Sequence, residues 1–270
     1  CFPCGDRNNP GHLLHTKSGF IALDVGQGFL GQLYRKYGNE NGNFVLSNLI
    51  AIFITHNHVD HSYGLHSLLR KRSSLTDHKV DLFCNKNLYN EIHYYELIYE
   101  NCSFHINFID YDIPSKQDIF VNASNCSIKI KTVHVDHTED SKGCLVTIDN
   151  KYKLAYSGDR MATGNDHFVE EIGSVDFLIH EGTFSSELDT EMDDYQHSTV
   201  NHALQTSEKM NAKYTAIVHI SQRYEGYNIP CNAENAFVAF DYLECSFDQI
   251  ENVCKMVKKV NQEILKPLKQ

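Results

Sequence analysis

The sequence has no uninterrupted apolar stretch near the ~18 residues that a membrane-spanning helix needs, which argues against a transmembrane protein. It is also poor in basic residues: 24 lysines and arginines stand against 35 aspartates and glutamates, a formal net charge of −11. Because nucleic-acid binding usually needs a basic surface, the charge by itself argues against such a partner. With 41% hydrophobic and 22% charged residues, the composition excludes a disordered or collagen-like chain.

The sequence also lacks a dense cysteine pattern. Its nine cysteines are scattered, most of them within apolar segments, which favours buried reduced thiols of an intracellular protein over a disulfide framework. Cys1 and Cys4 form one Cys-x-x-Cys pair without a second, so half of a zinc site is the weaker interpretation. The first residues have no signal-peptide pattern, and a chain that begins at Cys1 rather than Met is expected to be a piece of a longer protein.

Strand and helix patterns are mixed along the whole chain. Apolar runs and alternating patterns predict strands over 20–25, 49–55, 80–84, 126–133, 144–148, 152–157, 175–180, 214–219 and 237–243. Apolar residues at three- to four-residue spacing predict helices over 29–38, 61–71, 88–99, 199–210 and 247–265. This mixture indicates an α/β or α+β class, and without a linker or low-complexity tract we expect residues 1–270 to form one domain.

The densest group of potential metal ligands is His56-x-His58-x-Asp60-His61, which directly follows a predicted buried strand. Packing does not explain three imidazoles and a carboxylate within six residues, and a loop at a strand end can turn several of them into one cavity. Neutral imidazole and carboxylate are ligands that Zn²⁺ prefers. A polar surface loop with chance histidines is the alternative, which this pattern disfavours. The cluster therefore predicts a metal site.

Further ligands are expected at the ends of later strands. Asp159 directly follows one predicted strand, and His219 ends another. A third ligand is either His134, within an apolar strand, or His137, just past its end. We favour His137 because a loop there can turn the side chain inward. A carboxylate such as Asp159 can bridge two cations, and paired cations generate a nucleophile and clamp a phosphate.

These motifs resemble the metallo-β-lactamase superfamily, whose signature is His-x-His-x-Asp-His. Three further segments are similar to motifs of its tRNase Z family, the endonucleases that remove 3′ trailers from precursor tRNA. They are His180-Glu181-Gly182-Thr183, like His-Glu-Ala-Thr; His197-Ser198-Thr199, like His-Ser-Thr; and 219–224, like His-Phe-Ser-Gln-Arg-Tyr. The turn at 23–28 resembles the family's Leu-Asp-Cys-Gly-Glu-Gly. The resemblance extends to about Tyr224 and implies an α/β class with the αβ/βα four-layer sandwich of the metallo-β-lactamase fold.

The resemblance also implies a role for each site residue. It assigns one Zn²⁺ to His56, His58 and His137 and a second to Asp60, His61 and His219, with Asp159 bridging; Mn²⁺ is an alternative metal. It makes Asp60 catalytic, His197 a general acid and Glu181 the carboxylate that keeps His197 charged and oriented. His180 is expected to support the site without binding metal. The residues implied in substrate binding are Arg7, Asn8, Ser198, Thr199, Ser221 and Arg223.

Two positions depart from the family pattern. Gly5 replaces the lysine of a Pro-x-Lys-x-Arg-Asn loop, which bears on discrimination against mature CCA ends. Arg160 replaces the threonine after Ser-Gly-Asp, and we expect its side chain to point to solvent. In addition, the short interval between His137 and Asp159 has no room for the tRNA-gripping arm of short-form enzymes. We therefore expect the C-terminal half of a long-form enzyme, without its first strand.

The implied partners are precursor tRNA and the N-terminal half of the long-form chain, with no membrane and no required oligomer. The implied location is intracellular, in the nucleus, the mitochondrion or both. Two other functions stay open: a hydrolase of small thioesters or lactones with the same ligands, and a non-catalytic homologue that serves as a binding module. A thioester or lactone hydrolase has no need for Glu181 and His197. A non-catalytic homologue is disfavoured because all seven candidate ligands are present.

Overall fold

The computed structural model describes residues 7–98, 103–112, 118–161, 166–185, 196–224, 229, 231 and 233–264. Backbone contacts divide the chain into two compact units. The first unit comprises Asn9–Thr132 and Val146–Lys151, and the second comprises Val133–Leu145, Tyr152–Gln270 and the residues up to Asn8. Both units combine strands with helices, which confirms the mixed α/β class. Among the described residues, every helix is too short or too polar to cross a membrane.

The first unit is built on a five-stranded sheet of order β1-β2-β3-β4-β5. Its strands are β1 His12–Thr16, β2 Gly19–Leu23, β3 Leu49–Phe53, β4 Val80–Cys84 and β5 Ile106–Asp110. Its helices are α1 Phe29–Ser47, α2 Val59–Ser62, α3 Leu65–Ser73 and α4 Lys86–Ile98. Strand β1 pairs antiparallel with β2, and β2 to β5 run parallel. The loops that follow β2 and β3 therefore leave the same edge of the sheet, where side chains can converge.

Two glycines explain where the helix predictions for this unit were wrong. The helix predicted to end at Gly38 kinks there, at φ 74°, and continues to Ser47, because glycine adopts this conformation without a steric penalty. The helix predicted over 61–71 is split into α2 and α3 at Gly64. A Cβ at Gly64 would collide with the carbonyl oxygen of Gly26. This close approach joins the turn after β2 to the loop of predicted metal ligands, through bonds from Val25 N to His61 O at 2.8 Å and from Gly64 N to Val25 O at 2.9 Å.

The second unit contains β9 to β12 and parts of β7 and β8, in the sheet order β12-β11-β10-β9-β8-β7; residues 128–132 of β7 and 146–148 of β8 belong to the first unit. Its strands are β7 Ile128–His134, β8 Lys142–Ile148, β9 Tyr152–Tyr156, β10 Phe177–Glu181, β11 Tyr214–Val218 and β12 Ala236–Val238, and its helices are α5 His167–Ile172, α6 Val200–Lys209 and α7 Ile250–Ile264. The first-unit end of β7 pairs antiparallel with the short strand β6, Ile119–Phe120. Strands β9 to β12 run parallel, so the residues after β9, β10 and β11 also share one edge.

A tight turn at Asp149 and Asn150 joins β8 to β9, which are neighbours in the sheet. Asp149 and Asn150 have φ of 53° and 52°, the left-handed pair that a two-residue hairpin turn favours. The sequence did not reveal β1, β5, β6 and α5, which are short or lack a clean period. The predicted strand over 237–243 was too long, since β12 ends at Val238. Tyr99 and Leu265, the predicted ends of two helices, lie outside the described residues.

Candidate metal centre and catalytic residues

In the first unit, the four predicted ligands lie between the end of β3 and the first turn of α2. His56 and His61 are fully buried, whereas His58 is exposed and Asp60 is partly exposed. Nε2 of His56 lies 2.9 Å from Nδ1 of His58, and Nε2 of His61 lies 3.7 Å from Oδ2 of Asp60. Ligand-type atoms are therefore adjacent in two pairs, as neighbouring ligands of a cation are.

Asp24 and Thr55, to which the sequence motifs gave no role, contact the Nδ1 atoms of two of these imidazoles. The carboxylate of Asp24 accepts hydrogen bonds from N of Thr55 at 2.7 Å and from its hydroxyl at 2.9 Å, and it lies 2.7 Å from Nδ1 of His61. The Thr55 hydroxyl also lies 3.0 Å from Nδ1 of His56. We assign the Nδ1 protons of His56 and His61 to these oxygens, so Nε2 of each ring is the atom that could bind a metal.

Asp24 occupies its position at a conformational cost. It stands directly after β2 with φ 58°, a region that non-glycine residues adopt rarely. Its side chain is fully buried among the partners described above. In the sequence, only its place in the strand-to-helix turn at 23–28 pointed to Asp24. The structure shows that this turn contacts His61, through the bond from Val25 N to His61 O.

In the second unit, three imidazoles surround one carboxylate oxygen. Oδ2 of Asp159, which follows β9, lies 3.4 Å from Nε2 of His219, 3.8 Å from Nε2 of His137 and 3.8 Å from Nδ1 of His197. Asp159 is 2% exposed. His137 donates from Nδ1 to the carbonyl oxygen of Gln196 at 2.9 Å, so its Nε2 is the atom presented to Asp159. His134 is half exposed and its Nε2 lies 3.8 Å from Asp136.

These separations suit a shared cation better than direct hydrogen bonds. N–H···O bonds are usually about 2.7–3.2 Å long, shorter than the distances from Asp159 to His137 and to His219. Two ligands of a tetrahedral Zn²⁺, each about 2.0–2.1 Å from the metal, lie about 3.4 Å apart. The 3.4 Å between Asp159 Oδ2 and His219 Nε2 matches this value. The donor set of imidazoles and carboxylate therefore fits zinc.

Glu181, at the end of β10, is fully engaged by donors within the second unit. Its Oε1 accepts from N of Arg160 at 2.8 Å and from Nδ1 of His197 at 3.0 Å. Its Oε2 accepts from the hydroxyl of Thr183 at 2.7 Å and from N of Thr183 at 3.2 Å. Atoms of Glu181, His197 and His219 lie close enough together to suggest a metal site. A carboxylate with four donors is, however, better suited to orient an imidazole than to bind a cation.

Thr183 connects this carboxylate to a predicted metal ligand. Its hydroxyl donates to Glu181 and lies 2.8 Å from Nδ1 of His219, which we assign as the donor of that second bond. His219 has φ 57° directly after β11, a second strained residue at a strand end. The Thr183 hydroxyl thus fixes the tautomer of His219. It also fixes the position of the Glu181 carboxylate, which orients His197.

The pKa values within this group favour an ionised pair. Burial by itself would lower the pKa of His197, but the charge and hydrogen bond of Glu181, with a contribution from Asp159, raise that pKa to about 9. Burial would raise the pKa of Glu181, yet the charge and hydrogen bond of His197 hold it below its usual value. At neutral pH His197 is therefore a charged imidazolium with Nδ1 on Glu181, so Nε2 is the atom that can donate a proton elsewhere.

Comparison with known proteins identifies the family. The family described as "Beta-lactamase superfamily domain" matches residues 21–220, well over half of the chain. The chain belongs to this superfamily. Among its relatives are the zinc phosphodiesterase ELAC protein 2 homolog of Caenorhabditis elegans, 27% identical over 94% of this chain, and the mitochondrial ribonuclease Z of Drosophila melanogaster, 29% identical over 95%. The chain spans 35% of the length of each.

Solved structures share the superfamily fold. The long-form RNase Z from yeast has a TM-score of 0.75 and 23% identity, over 90% of this chain and 39% of that one. The human short-form tRNase Z has a TM-score of 0.72 and 21% identity, over 92% of this chain and 95% of that one. At these identities the likeness concerns the fold, and it confirms the metallo-β-lactamase fold expected from the sequence.

The residues predicted to bind substrate already contact other parts of the protein. Ser198 is buried and donates to the carbonyl oxygen of Arg160 at 2.7 Å, while Thr199 is the N-cap of α6. Arg7 donates from Nη2 to the carbonyl oxygen of Tyr224, and Asn8 donates from its N to Asp241 at 3.0 Å. Ser221 is nearly buried, with its N bonded to Thr183 O at 3.0 Å.

Arg223 is the exposed cation of the predicted substrate-binding set. Its guanidinium carbon lies 4.9 Å from the centre of the Phe184 ring, and the ring centre of His197 lies 6.3 Å from that of Phe184. The substrate-binding roles of all six residues stay predictions. Gly5 and the other residues before Arg7 lie outside the described residues.

The expectation that Arg160 points to solvent was wrong. Arg160 is only 3% exposed, and its Nη2 donates to Asp166 Oδ1 at 2.8 Å. The sequence could not show this, because the six-residue separation of Arg160 and Asp166 fits neither a helix nor a strand period.

His180 provides a prediction about acid stability. It is fully buried, and burial together with the charge of Arg160 lowers its pKa from 6.5 to about 4. Between these values the unfolded chain binds a proton that the folded chain does not, so stability is lost as pH falls from about 6.5 towards 4. We expect His180 to account for about 2 kcal/mol of the loss in unfolding free energy between pH 7 and pH 5.

Urea unfolding of the wild type and of His180→Asn, each at both pH values and with a chelator present, measures this contribution. The variant should lose about 2 kcal/mol less than the wild type over the same interval. Equal losses in the two proteins would show that His180 does not titrate in this way.

Proposed function

We propose that this chain is the catalytic part of a zinc-dependent endoribonuclease that hydrolyses the phosphodiester at the 3′ end of precursor tRNA. The reaction removes the 3′ trailer and leaves a 3′-OH on the tRNA. The carrying observation is the hydrogen-bonded pair of Glu181 and His197, 3.0 Å apart, beside the Asp159 carboxylate and the imidazoles around it. The names of the relatives, zinc phosphodiesterase and ribonuclease Z, support the same chemistry.

Both units are proposed to supply zinc ligands, for two Zn²⁺ in all. The first unit offers His56, His58, Asp60 and His61, and the second offers His137, Asp159 and His219. When bound, zinc supplies charge neutralisation for the phosphate and activates water. Mn²⁺ is the alternative metal, since imidazole and carboxylate accept both.

The residues of the chain are proposed to supply the proton and the orientation. His197 donates from Nε2 to the leaving 3′ oxygen, because its Nδ1 is held by Glu181. Glu181 keeps the imidazole charged and oriented, and Thr183 fixes the second oxygen of that carboxylate. Asp60 is proposed to orient the attacking group. A single catalytic domain, with the N-terminal half of a long-form chain as partner and no obligatory oligomer, remains our prediction.

The location is proposed to be intracellular, in the mitochondrion, the nucleus or both. One relative is named as mitochondrial, which supports the first of these. Fractionation of cells that express the tagged full-length protein would test the assignment.

The deciding experiment combines cleavage with metal analysis. The full-length protein is incubated with Zn²⁺ and an end-labelled tRNA that carries a 3′ trailer, and its zinc content is measured by mass spectrometry. We expect cleavage after the discriminator base and about two zinc ions, cleavage loss with less zinc in His58→Ala, and cleavage loss with full zinc in His197→Ala. Hydrolysis of a thioester or lactone without tRNA cleavage would overturn the proposal.

A further inference from the structure

Arg160 is anchored by helix α5 and its N-cap. Its guanidinium donates to Oδ1 of Asp166 at 2.8 Å, and its Cζ lies 5.2 Å from the centre of the Phe168 ring. Asp166 is the N-cap residue of α5 and also accepts from N of Val169 at 3.3 Å. Phe168 is 1% exposed in the core of the second unit. The arginine side chain is therefore fixed at two points by one rigid element.

The main chain of the same residue contacts the proposed catalytic machinery on both sides. N of Arg160 donates to Oε1 of Glu181 at 2.8 Å, the oxygen that also accepts from His197. Its carbonyl oxygen accepts from the hydroxyl of Ser198 at 2.7 Å, directly after His197 in the chain. One residue thus joins the end of β9 to the end of β10 and the start of α6.

The burial of this cation is costly for stability alone. Nε and Nη1 of Arg160 are buried without a hydrogen-bond partner among the described residues. A buried ion pair whose remaining donors are unsatisfied seldom stabilises a fold more than apolar side chains of the same size do. The arrangement does, however, anchor the main chain of Arg160 beside Glu181 and His197.

We propose that Arg160 is a positioning residue for the Glu181–His197 pair. Its ion pair with Asp166 holds the peptide whose N–H fixes Oε1 of Glu181, and this oxygen in turn fixes Nδ1 of His197. The expected effect of Arg160 on catalysis rests on the proposed function, whereas its expected effect on the geometry of the Glu181–His197 pair does not.

Solvent exchange of the His197 Nδ1 proton tests the geometry without any substrate. It is followed by NMR in full-length protein with ¹⁵N-labelled histidine, and the signal is assigned with His197→Ala. We expect exchange about fivefold to tenfold faster in Arg160→Ala and Asp166→Asn, the factor that corresponds to losing one hydrogen bond. Arg160→Lys, which keeps the charge, should be intermediate. Lys213→Ala, which removes the exposed partner of Asp176 at 2.5 Å, is the matched control and should exchange like the wild type.

Folding is checked for each variant by its melting temperature. If Arg160→Ala does not fold, Asp166→Asn decides, because asparagine preserves the shape of the side chain and its role as N-cap. Exchange within twofold of the wild type in a folded variant would overturn the proposal, and so would a His197 signal that is unprotected in the wild type.

The kinetic measurement separates this proposal from the proposed function. We expect Arg160→Ala to lower kcat for tRNA cleavage by about the same factor as it speeds proton exchange, with KM and zinc content unchanged. A loss of activity that follows zinc content would assign Arg160 to metal binding and overturn the proposal. If the wild type does not cleave tRNA, the proposed function fails, and the exchange measurement still decides the role of Arg160.

Discussion

Replacing Asp159 with Asn is expected to lower tRNA cleavage by at least ~10³-fold, since metal ions supply several kcal/mol of transition-state stabilisation. Its Oδ2 lies within 3.8 Å of nitrogens of His137, His197 and His219. An amide keeps the shape but removes the negative charge, so the neighbouring imidazoles hold a cation less firmly. We therefore expect a lower zinc content together with the loss of activity.

Asp136→Asn is the matched control for this change. Asp136 belongs to the same unit, its side chain is 45% exposed beside His134, and its carbonyl bond to Met161 N survives the substitution. Zinc content, melting temperature and cleavage rate are measured for both variants. Full zinc content and cleavage in Asp159→Asn would remove this residue from the metal centre.

The sequence predicted the candidate ligands because they are concentrated at strand ends. His56, Asp159 and His219 each follow a short apolar run, and parallel strands bring such positions to one edge of a sheet. The family motifs then added Glu181 and His197, which periodicity alone could not distinguish from a strand end and a helix start. The strand β4 was predicted with its observed bounds, Val80–Cys84.

The supporting residues could not be predicted in the same way. Asp24 depends on a positive φ and on the close approach at Gly64, and Arg160 depends on its contact with Asp166, the N-cap of α5. The role of Thr183 depends on the register that places Glu181 opposite Val218, one residue before His219. The contacts of Asp24 and Thr183 join segments distant in sequence, and the six-residue separation of Arg160 and Asp166 fits neither a helix nor a strand period, so no local pattern contains any of them.

The net charge of −11 was a poor guide to the site for a related reason. Around Asp159 and Glu181 the charges are partly balanced, by the imidazolium of His197 and the guanidinium of Arg160. Two zinc ions would add further positive charge where a phosphate is proposed to bind. Charge near the reacting group is set by such local arrangements, whereas the total reflects the whole surface.

Replacing His197 with Ala is expected to lower kcat by about 10²- to 10⁴-fold, the usual contribution of a general acid, with zinc content unchanged. Glu181→Gln should act on the same proton, the one that His197 donates to the leaving group. The charge and hydrogen bond of Glu181 raise the pKa of His197, so an amide there lowers that pKa. The acid form is lost as pH rises through the pKa, and the decline in kcat on the alkaline side should therefore begin at lower pH in Glu181→Gln. Glu170→Gln, at an exposed position of α5, is the matched control.

A substrate with a better leaving group distinguishes proton donation from any other role of His197. In a tRNA whose scissile 3′ oxygen is replaced by sulfur, the leaving thiolate needs no proton, because a thiol is far more acidic than an alcohol. We expect the defect of His197→Ala to shrink strongly with this substrate, whereas the defect of Asp159→Asn persists because the metal requirement remains. If His197→Ala is equally defective with oxygen and sulfur leaving groups, the imidazole does not protonate the leaving group, and the pair with Glu181 serves to orient the substrate instead.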